Sequence, residues 1–84
     1  MGNGSIIIRN ESSREIKVFV TKWTNKEGDE GWWPIAPGQR DSWLRNGWEC
    51  VGIKDSVYDN KRDGRYVAVN TVVVFKDFGD IELE

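Results

Sequence analysis

Ile16, Val18 and Val20 alternate with Lys17, Phe19 and Thr21, the period of two that puts every second side chain on one face of a pleated strand. That period, rather than the helical one, recurs along the chain. Ile6-Ile7-Ile8 is a short apolar run ahead of it. Tyr66 to Phe75 is dense in β-branched residues and reads as one long strand or as two broken near Asn70. Ile81-Glu82-Leu83-Glu84 alternates again and fits an edge strand. No stretch joins helical spacing to a capping residue. The expected fold is therefore all-β: one domain over residues 1–84, an antiparallel β-sandwich or partly open barrel of about six or seven short strands.

The turn signals assign the connections. Asn10-Glu11-Ser12-Ser13 is turn chemistry and predicts an opening hairpin between Ile6–Ile8 and Ile16–Val20. Asn25 to Gly31 is a polar, acidic loop. Pro34 cannot donate to a ladder, so Trp32-Trp33-Pro34-Ile35 belongs on a sheet edge. Ala36-Pro37-Gly38-Gln39 fits a type II turn, with Gly38 supplying the positive φ. Asn46-Gly47 predicts a type I′ hairpin between 41–44 and 49–53. With a two-residue loop, Arg45 opposes Trp48 and Trp43 opposes Cys50 on one face, with Leu44, Val51 and Ile53 on the other; a three-residue loop regroups them. Asp55 to Arg65 reads as a second charged loop.

Eighty-four residues lie near the lower end of what folds without a staple, so each large side chain matters. Five Trp, three Phe and two Tyr supply the bulk. A net charge of −2 and a pI near 5.1 argue against nucleic acid, whose partners carry a basic face. No run approaches the roughly twenty apolar residues of a membrane-spanning segment. Cys50 is the single cysteine, so no intrachain disulfide can form. Met1 to Ser5 has no signal-peptide character. Both point to a reducing, cytoplasmic setting, with secretion by a non-standard route left open. Gly2 lacks the Ser or Thr at position 6 that myristoylation needs. Asn3-Gly4-Ser5 and Asn10-Glu11-Ser12 match the glycosylation pattern, as chance also produces.

The chain has no histidine, which removes the usual proton shuttle near neutral pH and the commonest metal ligand. With one Cys and no His there is no ordinary zinc site. No phosphate cradle or nucleophile elbow is present. Cys50 reads as a buried structural thiol. The expectation is a non-enzyme with no catalytic residues, no metal and no cofactor. Asp59-Asn60-Lys61-Arg62-Asp63-Gly64 resembles the start of a calcium loop, but Lys61 and Asn70 occupy positions that need ligands. Asp55, Asp59 and Asp63 could still meet Glu27, Asp29 and Glu30; solvated loop charge is the plainer reading.

The tryptophans carry the functional expectation. Trp43, beside Cys50, suits the core. Five buried indoles would each need a partner for the N–H. Adjacent strand residues face opposite ways, so one of Trp32 and Trp33 should anchor the core and the other join Trp23 in an exposed patch. Such a patch suits a sugar ring, a lipid headgroup or a protein interface.

Ser5 to Val18 resembles the opening hairpin of the aegerolysins, small fungal β-sandwich proteins. Ile35-Ala36-Pro37-Gly38-Gln39-Arg40 is similar to the Pro/Gly turn of that family and of the actinoporin-like cytolysins. The resemblance covers about half of the chain, which is shorter than either family, and no binding residue carries over individually. It implies a lipid-binding sandwich with aromatic residues at the membrane.

The expected function is recognition of a glycan or a membrane-lipid headgroup through Trp23, Trp32, Trp33 and Trp48, with Arg40 and Arg45 supplying hydrogen bonds. The alternative is a structural or protein-interaction domain with core tryptophans and an exposed edge strand that forms a homodimer.

Overall fold

The alternation seen in the sequence gives each strand one side to bury. A computed structural model describes residues 4–84; the readings at Gly2 and Asn3 fall outside them. The described residues form eight strands and no helix: β1 (Gly4–Asn10), β2 (Ile16–Val20), β3 (Trp33–Ile35), β4 (Arg40–Arg45), β5 (Glu49–Asp55), β6 (Arg62–Val67), β7 (Val72–Asp77) and β8 (Asp80–Leu83). They make two four-stranded sheets, ordered β4-β1-β7-β8 and β3-β2-β5-β6. Ile6, Ile8, Trp43, Val73 and Phe75 from the first sheet meet Ile16, Val18, Val20, Ile35, Val51, Ile53 and Val67 from the second in one buried cluster. The fold is an all-β sandwich. Each large aliphatic side chain so buried contributes about 1.5–3 kcal/mol.

All the pairings are antiparallel except one: β1 runs parallel to β7, Ile7 beside Val72 through Asn10 beside Phe75. The chain crosses between the sheets at β1–β2, β3–β4, β4–β5 and β6–β7. Three sequence expectations hold. Gly38 has φ +80°, and Gln39 N–H donates to the Ala36 carbonyl at 3.0 Å, a type II turn. β3 and β8 are edge strands. The final third is two strands, broken where Asn70 takes φ 73°.

The two predicted hairpins are absent, and each has a physical cause. β1 and β2 lie in different sheets because Asn10 already serves other partners. Its N–H donates to the Gln39 carbonyl at 2.9 Å and its carbonyl accepts from Gly38 at 2.8 Å. Its fully buried side chain donates to the carbonyls of Arg14 at 2.8 Å and Ile35 at 2.9 Å. The same side chain accepts from the Ser12 N–H at 3.0 Å and the Ser12 hydroxyl at 2.6 Å. The Asn/Ser cluster folds an arch that leads the chain from one sheet to the other.

The Arg45-Asn46-Gly47-Trp48 corner is also a crossing. Neither Asn46 nor Gly47 has positive φ, so there is no type I′ turn. Asn46 spends its N–H and its side-chain amide on Thr24, both at 2.9 Å. Trp43 therefore pairs with Ile6, and Cys50 with Tyr66. A further correction concerns the second charged loop, which ends early: β6 begins at Arg62. Charges are tolerated there because β6 is an edge strand. Its inward Asp63 is satisfied by the N–H of Gly79 at 2.7 Å and of Gly64 at 2.8 Å.

Replacing Asn10 by Ala should remove about 2–4 kcal/mol of stability, since it takes from the arch a fully buried amide that donates to the Ile35 and Arg14 carbonyls and leaves the latter only the Ser12 hydroxyl. Gly38→Ala, strained only by its φ because a Cβ there meets nothing within 4 Å, should lose about 1 kcal/mol. Urea melts of the two variants beside wild type measure both.

Candidate functional site

Alternation about the buried positions decides which tryptophans reach solvent. Trp43 is 3 % exposed and belongs to the core, whereas Trp32, Trp33, Trp48 and Trp23 are 40, 44, 53 and 62 % exposed. Trp33 pairs with the inward-facing Val18 but sits on a three-residue edge strand. Its ring closes the open margin of the sandwich beside Asp29, Asp41, Ser42 and Trp43, and its indole N–H donates to the Glu30 carbonyl at 3.1 Å. Trp32 lies on the opposite side, on the outer face of the second sheet. The two do face apart as adjacent residues should, yet neither anchors the core, because β3 at the margin has packing on one flank only.

The outer face of β3-β2-β5-β6 gathers what the sequence scatters. Inward burial of Ile16, Val18 and Val20, and of Val51 and Ile53, turns Lys17, Phe19, Gly52 and Lys54 outward. The register sets Lys17 beside Lys54 and Phe19 beside Gly52, then Lys54 beside Arg62 and Cys50 beside Tyr66. Trp32 packs on Phe19 with centroids 5.7 Å apart. A Cβ on Gly52 would meet the edge of the Trp32 ring at 3.4 Å, an ordinary van der Waals contact, so the tip of the indole reaches over Gly52. The Lys54 ammonium stands 4.4 Å from the Trp32 centroid and the Arg62 guanidinium 5.8 Å, a cation–π arrangement. Trp48 stacks on Tyr66 with centroids 5.0 Å apart and planes 28° from parallel. Trp23 stands at the same end as Trp48, since its N–H is held by Glu49 at 3.1 Å.

Sequence reasoning missed Phe19, Tyr66, Lys54 and Arg62 as members of this face. Phe19 and Lys54 are implied by alternation with the buried Val18 and Ile53. Arg62 and Tyr66 are hidden when the segment before Tyr66 is taken for a loop. Cys50 is half-buried on this face, not in the core, because it alternates with the buried Glu49 and Val51.

The two arginines part company. Arg40 is exposed in β4 and lines a shallow hollow of about 290 Å³ with Ile7, Asp41 and Ser42, apart from the aromatic face. Arg45 cannot serve as a surface donor, as it is fully buried. Its guanidinium donates to the carbonyls of Thr21 and Leu44, both at 2.7 Å, and of Val20 at 3.2 Å. Glu49, also fully buried, stands 3.9 Å away, which is charge compensation rather than a hydrogen bond. Burial alone would push the Glu49 carboxyl up. Hydrogen bonds from the Thr21 and Thr24 hydroxyls and the N–H groups of Thr24 and Trp23 outweigh it and hold the group below the usual glutamate range.

The acidic loops do not meet. Thr24 N–H donates to Glu49 at 2.8 Å at one end of β5, and Arg14 pairs with Asp55 at 3.0 Å at the other. Each of the three aspartates is engaged by donors of its own. Asp55 is held below the ordinary range first by the Tyr58 N–H, then by Val57 and Arg14 against its burial. Asp59 is lowered by Lys54 first and Arg62 second. Burial would raise Asp63, but the Gly79 and Gly64 N–H groups and Arg65 bring it down. No cluster of three metal-ligating side chains occurs among the described residues. No helix long and apolar enough to cross a membrane occurs among them either. Comparison with protein-family models, curated proteins and solved structures found no match.

Arg45→Ala should cost about 3–5 kcal/mol, since it strands the buried Glu49 charge, whereas Arg40→Ala should stay within about 0.5 kcal/mol. The lowered Glu49, Asp55 and Asp63 pKa values fix the sign of the pH dependence. Their stabilisation is complete above the ordinary carboxylate pKa of about 4 and is lost as the pH falls through the folded-state values. Denaturant melts at neutral pH and stepwise into acid should show that loss, and Glu49→Gln should show a shallower one.

Proposed function

We propose that this domain is a recognition protein without a catalytic step, binding a carbohydrate or a membrane-lipid headgroup on the outer face of the β3-β2-β5-β6 sheet. One observation carries the reading: Trp32 and the Trp48–Tyr66 stack stand on the same sheet face and are 40, 53 and 59 % exposed. A flat exposed indole accepts the C–H face of a sugar ring, and its amphipathic character equally suits a headgroup layer. Trp23, at the Trp48 end, extends the surface. Trp33 and Arg40 lie off it and take no part. The resemblance to the aegerolysins supports the sandwich more than the lipid. We place the protein in a reducing compartment such as the cytoplasm, in keeping with a lone free cysteine.

The second reading is self-association through an edge strand, for which β4 and β6 offer six-residue ladders. On β6 the inward-pointing Asp63 and Arg65 are a device that discourages edge pairing, so this reading ranks second.

Trp32→Ala and Trp48→Ala should fold normally and lose binding to the glycans or lipid vesicles that an array selects for wild type. Trp43→Ala should lose about 3–5 kcal/mol of stability, as a large-to-small change in the core. If both surface variants bind as wild type does, the aromatic face is not the site.

A further inference from the structure

Resting on that reading of the aromatic face, we infer that its ligand is an anionic glycan, one carrying carboxylate or sulfate groups, held by stacking on Trp48–Tyr66 and Trp32 and by the cations Lys17, Lys54 and Arg62. A neutral sugar offers hydroxyl groups that can both donate and accept, so side-chain acceptors beside the rings would favour it, whereas a carboxylate or sulfate only accepts. The outward residues of the β2, β5 and β6 strands include no acid and no amide. What they offer are donors: the ammonium groups of Lys17 and Lys54 and the guanidinium of Arg62. The indole N–H groups of Trp32 and Trp48 add two more, with no acceptor among the described residues. Of the outward strand residues, the Tyr66 hydroxyl can do either, and the half-buried Cys50 thiol only weakly.

The carboxylate beside this face, Asp59, is already spent. It pairs with Lys54 at 3.1 Å and with Arg62 at 2.8 Å. That leaves three cations against one anion, in a chain whose overall charge is −2. Lys17 has no carboxylate partner among the described residues. A surface rich in donors and positive charge therefore calls for an acceptor-rich, negative ligand, and the rings call for one with flat C–H faces. A membrane fits less well. Trp32 packs on Phe19 and Trp48 on Tyr66, whereas a headgroup layer is entered by side chains that project freely into it. Single-stranded nucleic acid would also stack on exposed rings, and oligonucleotides are therefore among the probes that decide the assignment.

The test compares matched probes by calorimetry on the full chain: dextran and dextran sulfate, polygalacturonate, long-chain polyphosphate, single-stranded oligonucleotides, and vesicles with and without anionic lipid. The inference expects dextran sulfate or polygalacturonate to bind, with dextran and polyphosphate weaker by about tenfold or more, the effect of removing one favourable charge or stacking interaction. Lys17→Gln should weaken the anionic glycan roughly fivefold, the size of one exposed charge interaction, without altering the melting temperature. Trp48→Ala should abolish binding. Preference for neutral dextran would overturn the anionic assignment while leaving the sugar reading in place. Equal binding of polyphosphate would overturn it by showing charge without stacking. Binding confined to vesicles or to oligonucleotides would overturn both the inference and the glycan reading. Failure of all probes to bind would remove the inference, and with it the aromatic face as a glycan site.

Discussion

The buried pairing of Arg45 with Glu49 is the interaction on which the sandwich depends. Each alone would be an isolated charge in a desolvated place, which proteins seldom tolerate. Together they do more than cancel. The Arg45 guanidinium satisfies the carbonyls at the end of β2, and Glu49 satisfies the N–H groups of the turn that follows. The β4–β5 crossing is thus tied to the β2 end at both of its own ends. An apolar pair of equal volume would avoid the desolvation cost but take from the Val20 and Thr21 carbonyls the donors that Arg45 supplies. The polar pair persists because backbone groups need it, not because opposite charges attract.

How much of this was legible depends on whether the information is local. Ile16 to Val20 reads as a half-buried strand because alternation is written in adjacent residues. Pro37-Gly38 reads as a type II turn because the φ restrictions of those two residues select it. Asn10 and Asn46 read as hairpin turns, and there the reasoning fails for a common cause. Turn grammar says that the chain bends, while the partner of each strand is set by distant groups: Gly38 and Gln39 for Asn10, Thr24 for Asn46. Arg45 is the sharpest case. From sequence it is a charged residue beside a turn, hence a surface donor. Only the position of Val20 and Thr21 carbonyls and of Glu49 makes an interior site for it.

The aromatic face was partly legible for the same reason. That several tryptophans must be exposed follows from the size of the core. Which ones share a surface requires the register across β2, β5 and β6. Gly52 and Trp32 are twenty residues apart in sequence, yet the ring of one reaches over the backbone of the other. The charged stretch before Tyr66 hid β6 because polar residues at an edge satisfy themselves with solvent and neighbours, and so need no alternation strong enough to notice.

The face also shows how a small sandwich can hold a large side chain still without burying it. Trp32 packs on Phe19 and has Lys54 and Arg62 over its ring, and Asp59 in turn holds both cations. Each such interaction is small, about 0.5–1 kcal/mol for an exposed cation–π pair. Their joint effect is to remove much of the ring's freedom before any ligand arrives, so less ordering entropy is lost on binding. The arrangement has an internal tension. Asp59 fixes the cations that position the ring, and the same carboxylate competes with an anionic ligand for them. A ligand that drew Lys54 or Arg62 away from Asp59 would loosen Trp32, whereas Lys17, bound to neither, can answer a negative group with no such penalty. On the proposed reading Lys54 and Arg62 therefore position the ring as well as meeting the ligand, while Lys17 is left to the ligand alone.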